Sequence, residues 1–299
     1  MENTPLDITL RIGCEMILET KEPTVALFMI KPRRDEYLSV YKERFTFNPR
    51  LPAMEYQDVH GNIVHRTVLQ PGENTIHHDA LVAVPSAPDN YGLTPTTIPL
   101  FRIPPDVLRY TMASRYCDSD KLTKLSRDKF QKIPHGLEQV QAICDWTHRQ
   151  IEYRVGSGSS EISAKDVIDR GYGVCRDFAH VAIALCRALD LPARYVTGHL
   201  PDVAHIDKGT PMDFHAYFEV FLGTWMTFDA RFNVPRIGRV KVAHGLDAVD
   251  GAISTVYGDA PLKKFNVWAY QVDPQEVSVG DPVDLTKRLD GALEMKYAA

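Results

Sequence analysis

The chain divides by the period of its apolar positions. Between residues 6 and 84 the spacing is that of strands. Leu6-Asp-Ile-Thr-Leu-Arg-Ile12 alternates with period two, as a strand with one buried face must. Apolar runs around 25–30 and 80–84 predict further strands, and Asp58-Val-His-Gly-Asn-Ile-Val-His65 predicts a hairpin turning at Gly61-Asn62. Prolines 85, 88, 95, 99, 104 and 105 then break the pattern and mark a linker. Beyond about 106 the period lengthens. Leu137, Val140, Cys144 and Ile151 share one face of a helix, with Trp146 on its flank. Ser163-Ala-Lys-Asp166 has capping-box spacing, and Gly171 suits the residue after a helix end. A further amphipathic helix begins at Cys175, with Phe178, Val181, Ala182, Leu185 and Leu189 apolar, and stops at Leu191-Pro192. Strand patterns return at 193–199, 214–221, 225–230, 236–243 and 264–271. The expected organisation is an N-terminal β domain with its linker over 1–105 and a mixed α+β domain over 106–299. No internal repeat or low-complexity segment is present.

Composition narrows the setting. The 299 residues are 44% apolar and 24% charged, an ordinary balance for a globular chain. A net charge of −5 argues against a nucleic-acid surface, and the densest basic run, Lys31-Pro-Arg-Arg34, is short. No apolar stretch approaches the ~18 residues a membrane span needs. Met1-Glu-Asn-Thr-Pro5 lacks the basic segment and apolar run of a secretory signal. Five scattered cysteines (14, 117, 144, 175 and 186), without CxxC spacing, fit reduced thiols and a cytoplasmic location. Oligomeric state is left open.

Candidate chemistry centres on Gly171-Tyr-Gly-Val-Cys-Arg-Asp-Phe-Ala-His180. A Gly-flanked turn lets the backbone enter a helix sharply. The first turn then offers unpaired N–H groups and the positive end of the helix dipole, which favour a thiolate at Cys175. The base is expected on Asp213-Phe-His-Ala-Tyr-Phe-Glu-Val-Phe221. There Phe214, Ala216, Phe218 and Val220 make one face, and His215, Tyr217 and Glu219 the other. A three-residue loop at 222–224 would pair Phe221 with Trp225 and set Asp229 diagonal to His215 on the same face. A two-residue loop would turn Asp229 away. The first register gives a Cys175–His215–Asp229 triad of nucleophile, base and orienter.

The remaining polar residues have plainer roles. His180, five residues past Cys175, points elsewhere around the helix and is expected to pack or hydrogen-bond. Cys144 and Cys186 read as core; Cys14 and Cys117 are open. Asp177 suits a helix-start carboxylate, with substrate contact the alternative. The Cys175 N–H is the natural first oxyanion donor, and Tyr153 is the candidate for the second; Arg176 is a further candidate for substrate contact. The Gly/Ser run 155–160 and the stretch 201–212 are candidates to border a cleft. Cys175, His180, His199, His205 and His215 crowd one half of the chain without zinc-site spacing, and His77-His78 would face opposite ways on a strand. No metal and no cofactor are expected.

These motifs resemble those of the transglutaminase-like superfamily, specifically its bacterial cysteine proteases with an N-terminal β domain. The resemblance rests on the Cys175 run, Ala193-Arg-Tyr-Val-Thr-Gly198, the His215 run and Trp225-Met-Thr-Phe-Asp-Ala-Arg231. Ser114-Arg-Tyr-Cys-Asp-Ser-Asp120, Ala243-His-Gly-Leu-Asp-Ala-Val249 and Tyr56-Gln-Asp-Val-His-Gly-Asn62 extend it over most of the chain. It implies a papain-like α+β core, with the cysteine helix on an antiparallel sheet, and acyl transfer through a thioester at Cys175, His215 and Asp229. Animal calcium-dependent members have Trp after the catalytic Cys, where this chain has Arg176, and no EF-hand-like acidic run is present. Both differences favour hydrolysis of a peptide or protein amide over transamidation to an amine. A non-catalytic interaction scaffold is the remaining alternative.

Overall fold

A computed structural model describes residues 5–34, 37–205 and 212–290. Met1–Thr4, where no secretory signal was expected, and 206–211 of the expected cleft-bordering stretch lie outside the described residues.

The first third is all β. Strands β1 (Ile8–Thr20), β2 (Thr24–Phe28), β3 (Ser39–Asn48), β4 (Ala53–Gln57), β5 (Ile63–Leu69) and β6 (Gly72–Val84) are antiparallel. β1 is buried mainly along one face, with Arg11 and Gly13 buried on the other. Leu10 and Ile12 join one apolar cluster, Cys14, Met16 and Leu18 another. Gly13 is required there, since a Cβ would lie 2.2 Å from the His78 carbonyl oxygen and 2.5 Å from the Trp268 ring.

Helices follow: α1 (Pro105–Leu108), α2 (Ser119–Phe130) and α3 (Leu137–Gln150). Short strand β7 (Glu152–Tyr153), α4 (Ala164–Arg170) and short strand β8 (Tyr172–Gly173) lead into α5 (Cys175–Arg187). The Ser163/Asp166 capping box and the left-handed Gly171 both form as the spacing predicts. A sheet ordered β11-β10-β9-β12 then holds β9 (Ala193–His199), β10 (Phe214–Phe221), β11 (Trp225–Phe228) and β12 (Val240–Gly245), all antiparallel. α5 lies at the centre of the largest core, with Val140 and Ile143 of α3, Val167 of α4, and Ala216, Phe218 and Val220 of β10 around it. The architecture is α+β, a cysteine-led helix packed on an antiparallel sheet after an all-β region.

Several elements depart from the sequence pattern for identifiable reasons. α5 is buried on all sides from Asp177 to Arg187, not on one face, because its Ala-rich sequence lets neighbours close around it. β10 is buried on both faces from Phe214 to Val220; Glu219 is neutralised by Arg194 at 2.6 Å and Lys241 at 2.5 Å. β4 is exposed and β3 has no fully buried residue, so little apolar alternation announces them beyond Phe45 and Phe47, which pack against the core. The 58–65 hairpin turns over 58–62, with Gln57 opposite Ile63. Gly61 is left-handed, and Asn62 closes the turn with its N–H on Asp58 Oδ1 at 2.9 Å. It is fully buried and exchanges hydrogen bonds with the backbone of His244 at 2.8 and 2.9 Å, tying the N-terminal region to β12.

The chain finally returns to its start. β13 (Ser254–Tyr257) pairs with β2, and β14 (Leu262–Gln271) pairs with β1, giving N-terminal sheets ordered β13-β2-β5-β4 and β14-β1-β6-β3.

Candidate active site

The turn into α5 is built by one carboxylate. Asp177 Oδ2 accepts the Val174 N–H at 3.0 Å, reaching back over the helix start, and the Arg170 Nη2 at 3.0 Å. A Cβ on Gly173 would lie 2.6 Å from the Asp177 Cβ and 2.7 Å from Oδ2, so the approach needs glycine. Cys175 becomes the first helical residue, where unpaired amides and the helix dipole favour negative charge. It alone among the five cysteines is partly exposed. The other four are buried, and burial pushes their thiols up, Cys117 to about 12.

The β10–β11 hairpin supplies the partner residues. Phe221 pairs with Trp225 and Phe218 with Phe228, across a loop with left-handed Gly223, so the three-residue register forms. Asp229 follows Phe228 directly, and its Oδ2 meets His215 Nε2 at 2.7 Å. Its Oδ1 accepts the backbone N–H groups of Arg231 at 3.0 Å and Phe232 at 3.1 Å. Cys175 lines the same cleft as His215 and adds to the upward shift of its pKa; with Nε2 engaged by Asp229, Nδ1 is the ring atom left for the thiol. Burial pulls the His215 pKa down, but Asp229 and Cys175 outweigh it and the pKa is raised. Burial would likewise raise Asp229; the charges of His215 and Arg239 overcome it and hold the carboxyl well below its usual range.

Two groups absent from the sequence reading complete this arrangement. Arg239 Nη2 donates to Asp229 Oδ2 at 2.9 Å, and its Nε donates to both oxygens of Asp89 at 2.9 and 3.0 Å. The guanidinium lies 4.5 Å from the Tyr217 ring centroid. Asp89 also accepts the Arg236 N–H at 2.9 Å. The Pro-rich linker thus closes over the sheet and delivers a carboxylate behind the Asp229 pair. A Pro-Asp-Asn sequence in a linker gave no periodic signal of this.

The other candidates separate. Tyr153 is brought to the cleft: β7 and β8 pair in parallel, Tyr153 opposite Gly173, and its ring lies 3.9 Å from the Arg231 guanidinium. Arg176 turns away and donates to the Ser159 carbonyl at 2.9 Å, holding the Gly/Ser run against the helix start. Asp177 is buried and engaged in the turn. His180 stacks on Tyr116, ring centroids 5.1 Å apart at 13°, and its Nε2 accepts the Ala248 N–H at 3.2 Å, so it acts as a buried neutral acceptor. Cys14 and Cys117 join Cys144 and Cys186 in the core.

Cys175, His215, Tyr153, Arg231 and Phe232 line a cleft of about 80 Å³. A separate cavity of about 350 Å³ is lined by Tyr217, Glu219 and Arg239 but not by Cys175; its main charges are already paired. Among the described residues, no group of three or more His, Cys, Asp or Glu could hold a metal ion, and no helix is long and apolar enough to cross a membrane.

Comparison with known proteins places this geometry in context. Residues 123–230, which include Cys175, His215 and Asp229, match the model of the transglutaminase-like superfamily. A solved structure from Cytophaga hutchinsonii, described as a "Putative Cysteine Protease", aligns with a TM-score of 0.80 at 34% identity over 89% of this chain and 91% of that one. An uncharacterized protein of Mycobacterium leprae is 29% identical over 116 residues, 38% of this chain and 42% of its own length. One of Mycobacterium tuberculosis is 28% identical over 189 residues, 57% of this chain and 58% of its own length. The matches therefore span about half of these curated relatives.

Proposed function

Because the chain belongs to the transglutaminase-like superfamily, we propose that it is a thiol-dependent amide hydrolase, a cysteine peptidase working through a thioester on Cys175, His215 and Asp229. The observation that carries this reading is the 2.7 Å bond from His215 Nε2 to Asp229, with the helix-leading thiol of Cys175 against the same ring.

His215 takes the Cys175 proton at Nδ1, and the thiolate attacks the amide carbonyl carbon. The oxyanion that forms lies at the helix start, where the Cys175 N–H is the first donor and the Tyr153 hydroxyl the second. The intermediate collapses as the C–N bond breaks, and His215 delivers its proton to the departing amine. A water molecule then loses a proton to His215 and attacks the thioester. The C–S bond breaks, releasing the acid and returning the thiol. Asp229 holds the imidazole in the tautomer with Nε2–H and stabilises its charged form throughout. Arg176, with its side chain on Ser159, is a positioning residue for the loop, and Asp177 one for the turn.

The substrate class is a peptide or protein amide, and the five thiols support action in a reducing compartment such as the cytoplasm. A peptide-amide library incubated with and without an amine acceptor, its products weighed by mass spectrometry, tests the reading. Acid products with a transient acyl group on Cys175 support hydrolysis. Acceptor adducts in place of acids would make the protein a transamidase, and no acylation of Cys175 by any substrate would leave a binding scaffold.

A further inference from the structure

The cleft at Cys175 encloses about 80 Å³, room for little more than a scissile amide. A peptide must place its side chains beyond it. Met212 lines that cleft and also a pocket of about 600 Å³. Phe214, adjacent to His215 and a second wall of the cleft, stacks on Phe265 of the same pocket with ring centroids 6.1 Å apart at 14°. The two spaces share Met212 as a wall, and the stacked Phe214 and Phe265 link the lining of one to that of the other.

The larger pocket is lined mainly by apolar side chains, with Asn266 and His77 among them. β14 contributes Phe265 and Trp268, and the segment beyond it contributes Val283 and Leu285, which are 45% and 49% exposed. Its charged groups are engaged: Glu15 pairs with Lys264 at 2.8 Å, and Asp281 accepts the Ser278 N–H at 3.0 Å. Burial lowers the His77 pKa and keeps the ring neutral at pH 7, 5.4 Å from Trp268. Its volume falls within the roughly 300–1,000 Å³ of small-ligand sites.

We infer that this pocket is a substrate subsite for an uncharged apolar or aromatic side chain of the peptide whose amide carbonyl lies against Cys175. It would be built by the N-terminal sheet and the segment after β14. The inference rests on the amide-hydrolase reading for events at the thiol, but the selectivity of the pocket is readable without turnover.

Acetyl-Gly-Gly-Xaa-Gly-Gly-amides with Phe, Leu, Gly or Asp at Xaa are titrated calorimetrically into the full-length Cys175→Ala chain. The Phe peptide is expected to bind about tenfold more tightly than the Gly peptide. Val283→Asp and Leu285→Asp, both at half-exposed positions that leave the core intact, should each cut that ratio to about threefold or less, with Gly-peptide binding unchanged. In the unsubstituted chain the Phe peptide should slow alkylation of Cys175 by iodoacetamide several-fold more than the Gly peptide at equal concentration. A Phe-to-Gly ratio near one, or a ratio that survives both substitutions, overturns the subsite. The expected ratio without turnover of any peptide overturns the hydrolase reading and leaves the pocket; turnover without the ratio does the reverse.

Discussion

His199, at the end of β9, is fully buried, and neither of its ring nitrogens has a hydrogen-bond partner among the described residues. Its ring lies 4.5 Å from that of Phe214, next to the His215 position on the adjoining strand. Burial, with a smaller contribution from His78, pushes its pKa from 6.5 to about 3. A depressed native pKa means the unfolded chain binds a proton that the folded chain refuses. Stability from this site is therefore complete above pH 6.5, falls as the pH drops below 6.5, and levels off near 3. At ~1.4 kcal/mol per unit, descent from pH 7 to 5 costs about 2 kcal/mol. His199→Leu removes this titration and leaves no buried nitrogen unsatisfied, so its cost at pH 7 should be small. Urea melts of both proteins at pH 7, 6 and 5 measure the difference, in which all other titrating groups cancel to first order. The variant should gain about 2 kcal/mol on the unsubstituted chain between pH 7 and 5. A difference that stays constant with pH would mean that His199 takes up its proton equally in both states and is not destabilised by burial.

Five further substitutions address the site and the core beneath it. Asp229→Ala should lower kcat by about a thousandfold or more while KM changes little, and should lower the His215 pKa, read by NMR of the ring. Arg239→Met removes a cation beside Asp229 and should raise the His215 pKa; Asp89→Asn leaves that cation uncompensated and should lower it, a pair of opposite shifts that packing loss alone would not give. Cys186→Ala should cost roughly 1 kcal/mol in melting experiments with turnover per folded molecule intact, whereas Cys175→Ala should abolish turnover with the melting temperature almost unchanged.

Legibility of the site followed the range of the interactions. The Gly-flanked entry to α5, the alternation around His215 and the loop length before Asp229 are local, and each is written in a short run of residues. The pairing of Phe221 with Trp225 then follows from the number of loop residues. Arg239 and Asp89 are different: they lie 150 positions apart and meet only because the linker folds back over the sheet. Asn62 was legible as a turn residue by composition, yet its amide joins a backbone 182 positions away. β3 and α2 lack clear apolar stripes because most of their surface faces solvent, and α2 buries only Leu122, Phe130 and two serines. Sequence period reports burial, so weakly buried elements leave little trace.

The pairing of β1 with β14 sets the order in which the molecule can be completed. Leu10 is opposite Gln271, so β1 waits for β14, synthesised long after it, before that flank of its sheet is closed. Until then its amides and carbonyls on that side form an open edge able to capture another chain. The same clasp makes the protein poorly divisible. A cut after the linker would leave β14 without its partner, although the superfamily core at 123–230 lies wholly on one side of the cut. Residues far from the thiol in sequence, at both extremes of the described chain, would in this way decide whether the site is ever held in place.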